Sequence, residues 1–209
     1  MKNLICASCN IKNCMKDVKG EDPEYCPTII HSEEIKKSFK KYCKDPFTNK
    51  IALAAARVEG EGYGKWTRVK EAIEFAKKIE AKKIGIATCV GLLKEAQVLA
   101  GILKKNGFQV ESICCKAGKI DKTKMGLKED EKVRKGLFEP ICNPIAQARL
   151  LNNAKTDLNL VVGLCIGHDI LFLKNAQAPS TVLIVKDRVL GHNPAAAIYL
   201  SHSYYQGLK

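Results

Sequence analysis

Lys83-Ile84-Gly85-Ile86-Ala87-Thr88-Cys89-Val90-Gly91-Leu92 is the stretch that decides the reading of this chain. Its first six residues form a short apolar run with turn-like flanks, and no polar residue alternates through it. A strand covered on both faces, as in a parallel sheet, has that pattern. Just upstream, residues 66–81 read as an amphipathic helix with Val69, Ala72, Ile73 and Ala76 inward. Gly60, Gly62 and Gly64 read as a flexible loop before it, and the alanine-rich residues 51–58 as a further helix. Downstream, a helix over 91–105 stops at Asn106-Gly107, and a strand follows over 108–114.

The same alternation continues. Lysine-rich residues 116–139 read as a long exposed loop. They lead to a helix over 144–154, a strand over 159–164, a helix after Gly167, a strand over 181–185 and a last helix over 194–203. Strands alternating with helices predict an α/β domain over 46–209, a parallel sheet with helices on both faces in a Rossmann-like three-layer arrangement. Residues 1–45 differ: they hold five of the ten cysteines, show little apolar periodicity and are punctuated by Pro23 and Pro27. A segment so small buries little core, so a metal is its natural staple. One helix is expected there, over 32–41, with Ser32 as N-cap and Glu33 and Glu34 in its first turn.

Composition narrows the function. Hydrophobic residues at 46% and charged residues at 27% are an ordinary globular balance for 209 residues. No run is long enough for a membrane span, and the start has no apolar signal region, so a cytoplasmic protein is expected. Ten cysteines where thiols are kept reduced point to metal or redox chemistry, which an oxygen-poor cell would favour. The formal charge of +13 comes mainly from lysines spread along helices; a solvated surface accounts for it better than RNA or acidic partners do. The glycines at 60–64 follow no strand and make no dinucleotide fingerprint, and neither a Walker A lysine nor a serine nucleophile elbow is present.

The cysteines fall into two sets. Cys6, Cys9, Cys14 and Cys26 have the spacing C-x2-C-x4-C-x11-C, closed by Pro27, and four thiolates so spaced suit a [4Fe–4S] cluster or, alternatively, zinc. Cys43 has no place in that set. Cys89, Cys114-Cys115 and Cys165 each end an expected strand, and Cys142 opens an expected helix at Cys142-Asn143-Pro144. The crevice beyond the carboxyl ends of parallel strands is the usual binding place, so these cysteines should meet there. Each is also, taken singly, a small residue suited to a core. Gly163 and Gly167 flank Cys165 and permit a tight turn. A following helix N-terminus would make Cys165 more acidic. His168 suits proton transfer, metal ligation or helix capping. In the last loop Lys186 and Arg188 could neutralise an anionic substrate or a cluster, and His192 could carry protons; a solvated loop is the plain alternative.

These residues together resemble a family of uncharacterised cysteine-rich metal-binding proteins of archaea and anaerobic bacteria, a domain of unknown function. The resemblance spans nearly the whole chain. It rests on the N-terminal cysteines with Cys26-Pro27, on Ala87 to Leu92, Cys115-Lys116, Cys142 to Ile145, Leu164 to Asp169, Lys186-Asp187-Arg188 and His192-Asn193-Pro194. It implies metal binding without a defined reaction, and it favours Cys115 over Cys114. The expectation is an iron–sulfur protein with one or two clusters, the first on Cys6, Cys9, Cys14 and Cys26. The second site, cluster or thiolate, is lined by Cys89, Cys115, Cys142 and Cys165, with His168, Lys186, Arg188 and His192 around it. Redox or sulfur chemistry on a small anionic substrate, or with a redox partner protein, would follow. The rivals are a zinc-stapled module binding RNA or protein through its basic surface, and a metal carrier or sensor.

Overall fold

A computed structural model describes residues 4–17 and 20–208. Residues 1–3, on which the reading of the chain's start partly rests, lie outside them. The chain divides into two compact units, residues 1–61 and 62–209. The boundary expected at 45/46 falls instead between two successive helices of the first unit.

That first unit holds two single-turn 3-10 helices, Cys6–Ser8 and Asn13–Met15, and three α-helices: α1 (Pro27–Ile30), α2 (Ser32–Lys44) and α3 (Pro46–Gly62). Ser32 is the first helical residue of α2 rather than its cap; His31 stands at the N-cap without a side-chain bond. Glu33 and Glu34 at the start of α2, and Lys41 and Lys44 at its end, complement the helix dipole. Helix α3 begins on Pro46, whose missing N–H costs nothing at that position. Asp45 accepts the amide of Thr48 at 2.7 Å and so caps it. Gly60 and Gly62, expected in a loop, belong to the last turns of α3. A Cβ on Gly62 would come within 2.4 Å of the Trp66 ring, so the indole's packing explains that glycine better than loop flexibility does.

In the second unit, α4 (Arg68–Lys78) precedes β1 (Lys83–Thr88); α5 (Leu93–Lys105) leads to β2 (Gln109–Cys114). Then come α6 (Pro144–Asn153), β3 (Leu158–Val162), α7 (His168–Asn175), β4 (Ser180–Ile184) and α8 (Ala195–Tyr199). The sheet is parallel throughout, in the order β2-β1-β3-β4. The chain thus moves one way across the sheet from β1 to β2 and the other way from β2 to β3 and β4. Right-handed crossovers then require α5 on one face and α6 and α7 on the other. Accordingly α6 packs against α7. On the opposite face Val69 of α4, Val98, Leu99 and Ile102 of α5, and Leu183 of β4 line one apolar groove. The expected α/β architecture is the one found.

The core lies on both faces of β1 and β3. Ile84, Ile86, Leu160, Val161 and Val162 are fully buried between the helices, with Leu103, Leu151 and Phe172 over them. Each such side chain contributes ~1.5–3 kcal/mol by leaving water. Asn159 is buried among them with its polar group paired: it accepts from the Thr156 hydroxyl at 2.8 Å and donates to Ser180 at 3.2 Å. Gly85 lies opposite, where a Cβ would approach the Asn159 Oδ1 atom to within 2.2 Å; only glycine lets the two strands carry this pair.

Candidate metal and thiolate site

The order β2-β1-β3-β4 reverses direction at β1 and β3, which makes their carboxyl ends the topological switch point of the sheet. Beyond Thr88 the ladder continues for one more residue on each side. Cys115 donates its amide to the Thr88 carbonyl at 2.8 Å, and Cys89 donates to the Val162 carbonyl at 3.0 Å. Since Thr88 is in register with Cys114, the next residues, Cys89 and Cys115, stand side by side. Side chains alternate along a strand, so Cys114 and Cys115 face opposite ways. Cys114 lines a pocket against α5 with Leu93, Ala96 and Gln97. Cys115 faces the site.

A 3-10 turn over Val90–Leu92 joins β1 to α5 and turns its free amides on the two sulfurs. Val90 donates to Cys115 Sγ and Gly91 to Cys89 Sγ, each at 3.4 Å. Cys142 arrives from the other side. Asn143 bonds the Cys115 carbonyl through its amide at 2.8 Å, and its side chain caps α6 by accepting from Ala146 at 3.0 Å. Cys142 and Cys89 are the two side chains that act most strongly on the Cys115 thiol.

Charge follows from that arrangement. Cys89 is drawn down to about 5, first by the bond from Cys115, then by the Gly91 amide and Lys186, against the opposing effect of burial. Cys142 is likewise drawn down to about 5, first by Cys115 and further by Lys116 and His168. Cys115 is pushed strongly upward, first by its neighbours Cys142 and Cys89 and then by its burial. The outer cysteines, each with a lysine among the groups acting on it, are thus favoured as thiolates and Cys115 as a thiol.

The other expected residues are placed as follows. Cys165 follows β3 through Leu164 and accepts a hydrogen bond from the Arg188 guanidinium at 2.9 Å. His168 opens α7, and its buried Nδ1 has no hydrogen-bond partner in the structure. Lys186 stands by Cys89, so it and Arg188 both face sulfur. His192 spends its Nδ1 on the Asp187 amide at 3.1 Å and thereby holds its own loop. Two positioning features were not anticipated. Gln147 in α6 donates to the carbonyls of Thr88 at 3.1 Å and Ile113 at 2.6 Å, tying the ends of β1 and β2 together beneath the sulfurs. A lone glutamine in an alanine-rich helix gives no sequence signal of this.

The second is the segment between Cys115 and Cys142, expected as an exposed loop and instead ordered. Ile141 donates to the Ile120 carbonyl at 2.7 Å and Lys122 to that of Glu139 at 3.0 Å. Lys132 is buried at 4% exposure between Asp121 and Glu129, both at 2.9 Å. Opposite charges at fixed spacing fold the lysine-rich stretch back on itself, and this brings Cys142 to Cys115.

In the N-terminal unit, Cys9 is made more acidic by the amides of Lys12 and Ile11 and by the Tyr25 hydroxyl. Tyr25 is pushed upward by its bond to Cys9 and by the nearby charges of Cys26 and Cys6. Three of the four expected ligands thus act on one tyrosine. Cys14 lies in the 3-10 turn Asn13–Met15, and Cys43 is exposed in α2.

Among the described residues, no group of three or more His, Cys, Asp or Glu side chains stands in ready coordination geometry. No helix among the described residues is long and apolar enough to cross a membrane.

A family model described as "Protein of unknown function (DUF1847)" matches residues 26–183. That span includes Cys89, Cys115, Cys142 and Cys165. An uncharacterized protein of Methanocaldococcus jannaschii is 49% identical over 197 residues, covering 94% of each chain. No solved structure matches.

Proposed function

We propose that this chain, which belongs to the DUF1847 family of proteins of unknown function, binds a soft metal or an iron–sulfur cluster through Cys89, Cys115 and Cys142, and serves redox or sulfur chemistry there. The observation that carries the reading is the meeting of three cysteines at the switch point, Cys89 and Cys115 side by side and Cys142 next to Asn143, whose amide is tied to the Cys115 carbonyl at 2.8 Å, with the Val90 and Gly91 amides turned on two of the sulfurs. Lone core cysteines do not need cations; thiolates do. The bound group would supply an electron-accepting or Lewis-acidic centre with three protein ligands and one free position.

The chain's own residues do the rest. The amides of Gly91 and Val90 donate to the sulfurs of Cys89 and Cys115 and favour the deprotonated form of each. Lys186 and Lys116 offset charge at the outer cysteines, while Arg188 occupies Cys165. His168, near Cys142 and without a partner at Nδ1, is placed to receive a proton displaced from the trio. Cys6, Cys9, Cys14 and Cys26 form a second centre, supported by the gathering of three of them round Tyr25.

Anaerobic purification with iron, sulfide and zinc analysis and an optical spectrum tests this. Metal in two centres is expected in the native protein, and Cys115→Ser should lose one of them. Undiminished metal in that variant would exclude the sheet-edge site. One zinc and no iron would make the protein a zinc-stapled binding module instead.

A further inference from the structure

The sheet ends in two outer strands, β2 and β4, and their edges differ. Along β4 the Arg68 guanidinium bonds the Val182 carbonyl at 2.9 and 3.2 Å and the Thr181 hydroxyl at 3.2 Å. The β3–β4 register also slips between Val161 and Val162. A covered carbonyl and a local irregularity both blunt an edge against further pairing. Edge β2 has neither, and it carries no proline or lysine. Gln109 and Cys115 donate inward, to the Lys82 and Thr88 carbonyls, each at 2.8 Å. Backbone direction alternates along a parallel strand, so Val110, Ser112 and Cys114 turn their amides and carbonyls outward. No described strand pairs with that side. Among the described residues, the Cys114 carbonyl alone of these groups has a partner there, the Ala117 amide at 3.2 Å. Beside this bare edge, Ala96, Gln97, Ala100 and Gly101 of α5 line a cavity of about 550 Å³ with Ser112 and Cys114. Gly101 stands mid-helix, where glycine weakens a helix, yet a Cβ there would meet nothing within 4 Å.

We infer that β2 is a dimerisation edge, pairing antiparallel with β2 of a second copy of this chain about a twofold axis at Ser112. The inference is independent of the metal reading above. In that register Ser112 meets Ser112 of the second copy, Val110 meets Cys114, and Glu111 meets Ile113. The residues with outward backbone groups thus face one another and can exchange bonds. The exposed Glu111 meets an apolar residue rather than its own copy, so no like charges stand opposed. This self-complementarity favours a twofold mate over an unrelated extended peptide. Val110 and Cys114 lie on the α5 side with Ser112, so Val110 of the second copy enters the cavity beside Cys114. The small residues of α5, Gly101 above all, then let the second copy's α5 come close, which gives that glycine a reason its own chain does not.

Sedimentation equilibrium of the full chain, under anaerobic and reducing conditions, tests it. The native protein should have twice the chain mass at micromolar concentration. Ser112→Lys and Ser112→Glu alter an exposed side chain and should keep the native circular dichroism. Each sets like charges across the axis and should weaken dimerisation at least ~10-fold. Mixing the two variants should restore a dimer holding one chain of each, because the charges are then opposite. A native protein that is monomeric at that concentration overturns the proposal. A dimer that survives both substitutions overturns it too, since the contact then lies on another face. Well-folded variants that stay monomeric when mixed would likewise remove Ser112 from the axis.

Discussion

Gly163 carries more of the site than its size suggests. It leaves β3 at φ 63°, and a Cβ there would lie 2.8 Å from the Leu92 side chain. Leu92 ends the turn whose amides hold Cys89 and Cys115, so the strain of a larger residue would be passed to the sulfurs. Gly163→Ala should lower stability by ~1–3 kcal/mol in urea unfolding of the metal-free protein. It should also weaken metal retention at the sheet edge; unchanged values for both would mean the turn absorbs the clash. The adjacent pair Cys114-Cys115 allows a sharper comparison. Cys114→Ser changes a side chain on the α5 face and should leave metal content as it was, whereas Cys115→Ser removes the central sulfur. From the chain alone these two were equivalent, and only the family resemblance separated them. Strand register separates them physically, since neighbours on a strand face opposite ways.

Gln147 and the 115–143 segment act between elements. Gln147→Leu removes two hydrogen bonds, one to the Ile113 carbonyl and one to that of Thr88, which keeps its bond from the Cys115 amide, at a cost of ~1–3 kcal/mol. Its circular dichroism should stay native while its melting temperature falls, and a variant as stable as the parent would show that the carbonyls find other donors. The segment between the cysteines depends on charge. Asp121 is held well below the usual carboxylate range by the Thr123 amide, Lys132 and the Glu139 amide. A depressed carboxyl stabilises the fold above its unfolded pKa, near ~4, and that contribution disappears as pH falls toward the folded value. The segment should thus resist proteolysis at pH 7 and become steadily easier for an acid protease to cut as the pH falls below ~4 toward the folded value. Asp121→Asn should be cut readily at pH 7 as well; a resistant variant would leave the fold of the segment to its backbone bonds alone. Lysine abundance had suggested a solvated loop here, because a composition does not say which lysine meets which carboxylate. The buried position of Lys132 is a tertiary fact.

At the scale of the molecule, two compact units each bring cysteines together by a different route. In residues 1–61 four of the cysteines are close in sequence, Cys6 and Cys14 in single 3-10 turns. In residues 62–209 they are separated by up to half the domain and meet because parallel strands end on one edge. The two centres should accordingly be independent: Cys9→Ser should remove the N-terminal metal and leave the sheet-edge metal and its spectrum intact. Coupled loss of both in that variant would show one shared centre. The strands, their order of appearance and their helices were legible in the chain, since apolar runs and 3.6-residue periods are local and survive without neighbours. So were the candidate cysteines as strand-end residues. Which of them touch was not: that depends on the β2-β1-β3-β4 order, on the register that pairs Cys89 with Cys115, and on an ion-paired segment that returns Cys142 to them. It likewise took the folded chain to turn Lys186 and Arg188 toward sulfur. Local pattern determines the elements; only long-range packing decides which charges and sulfurs share a space.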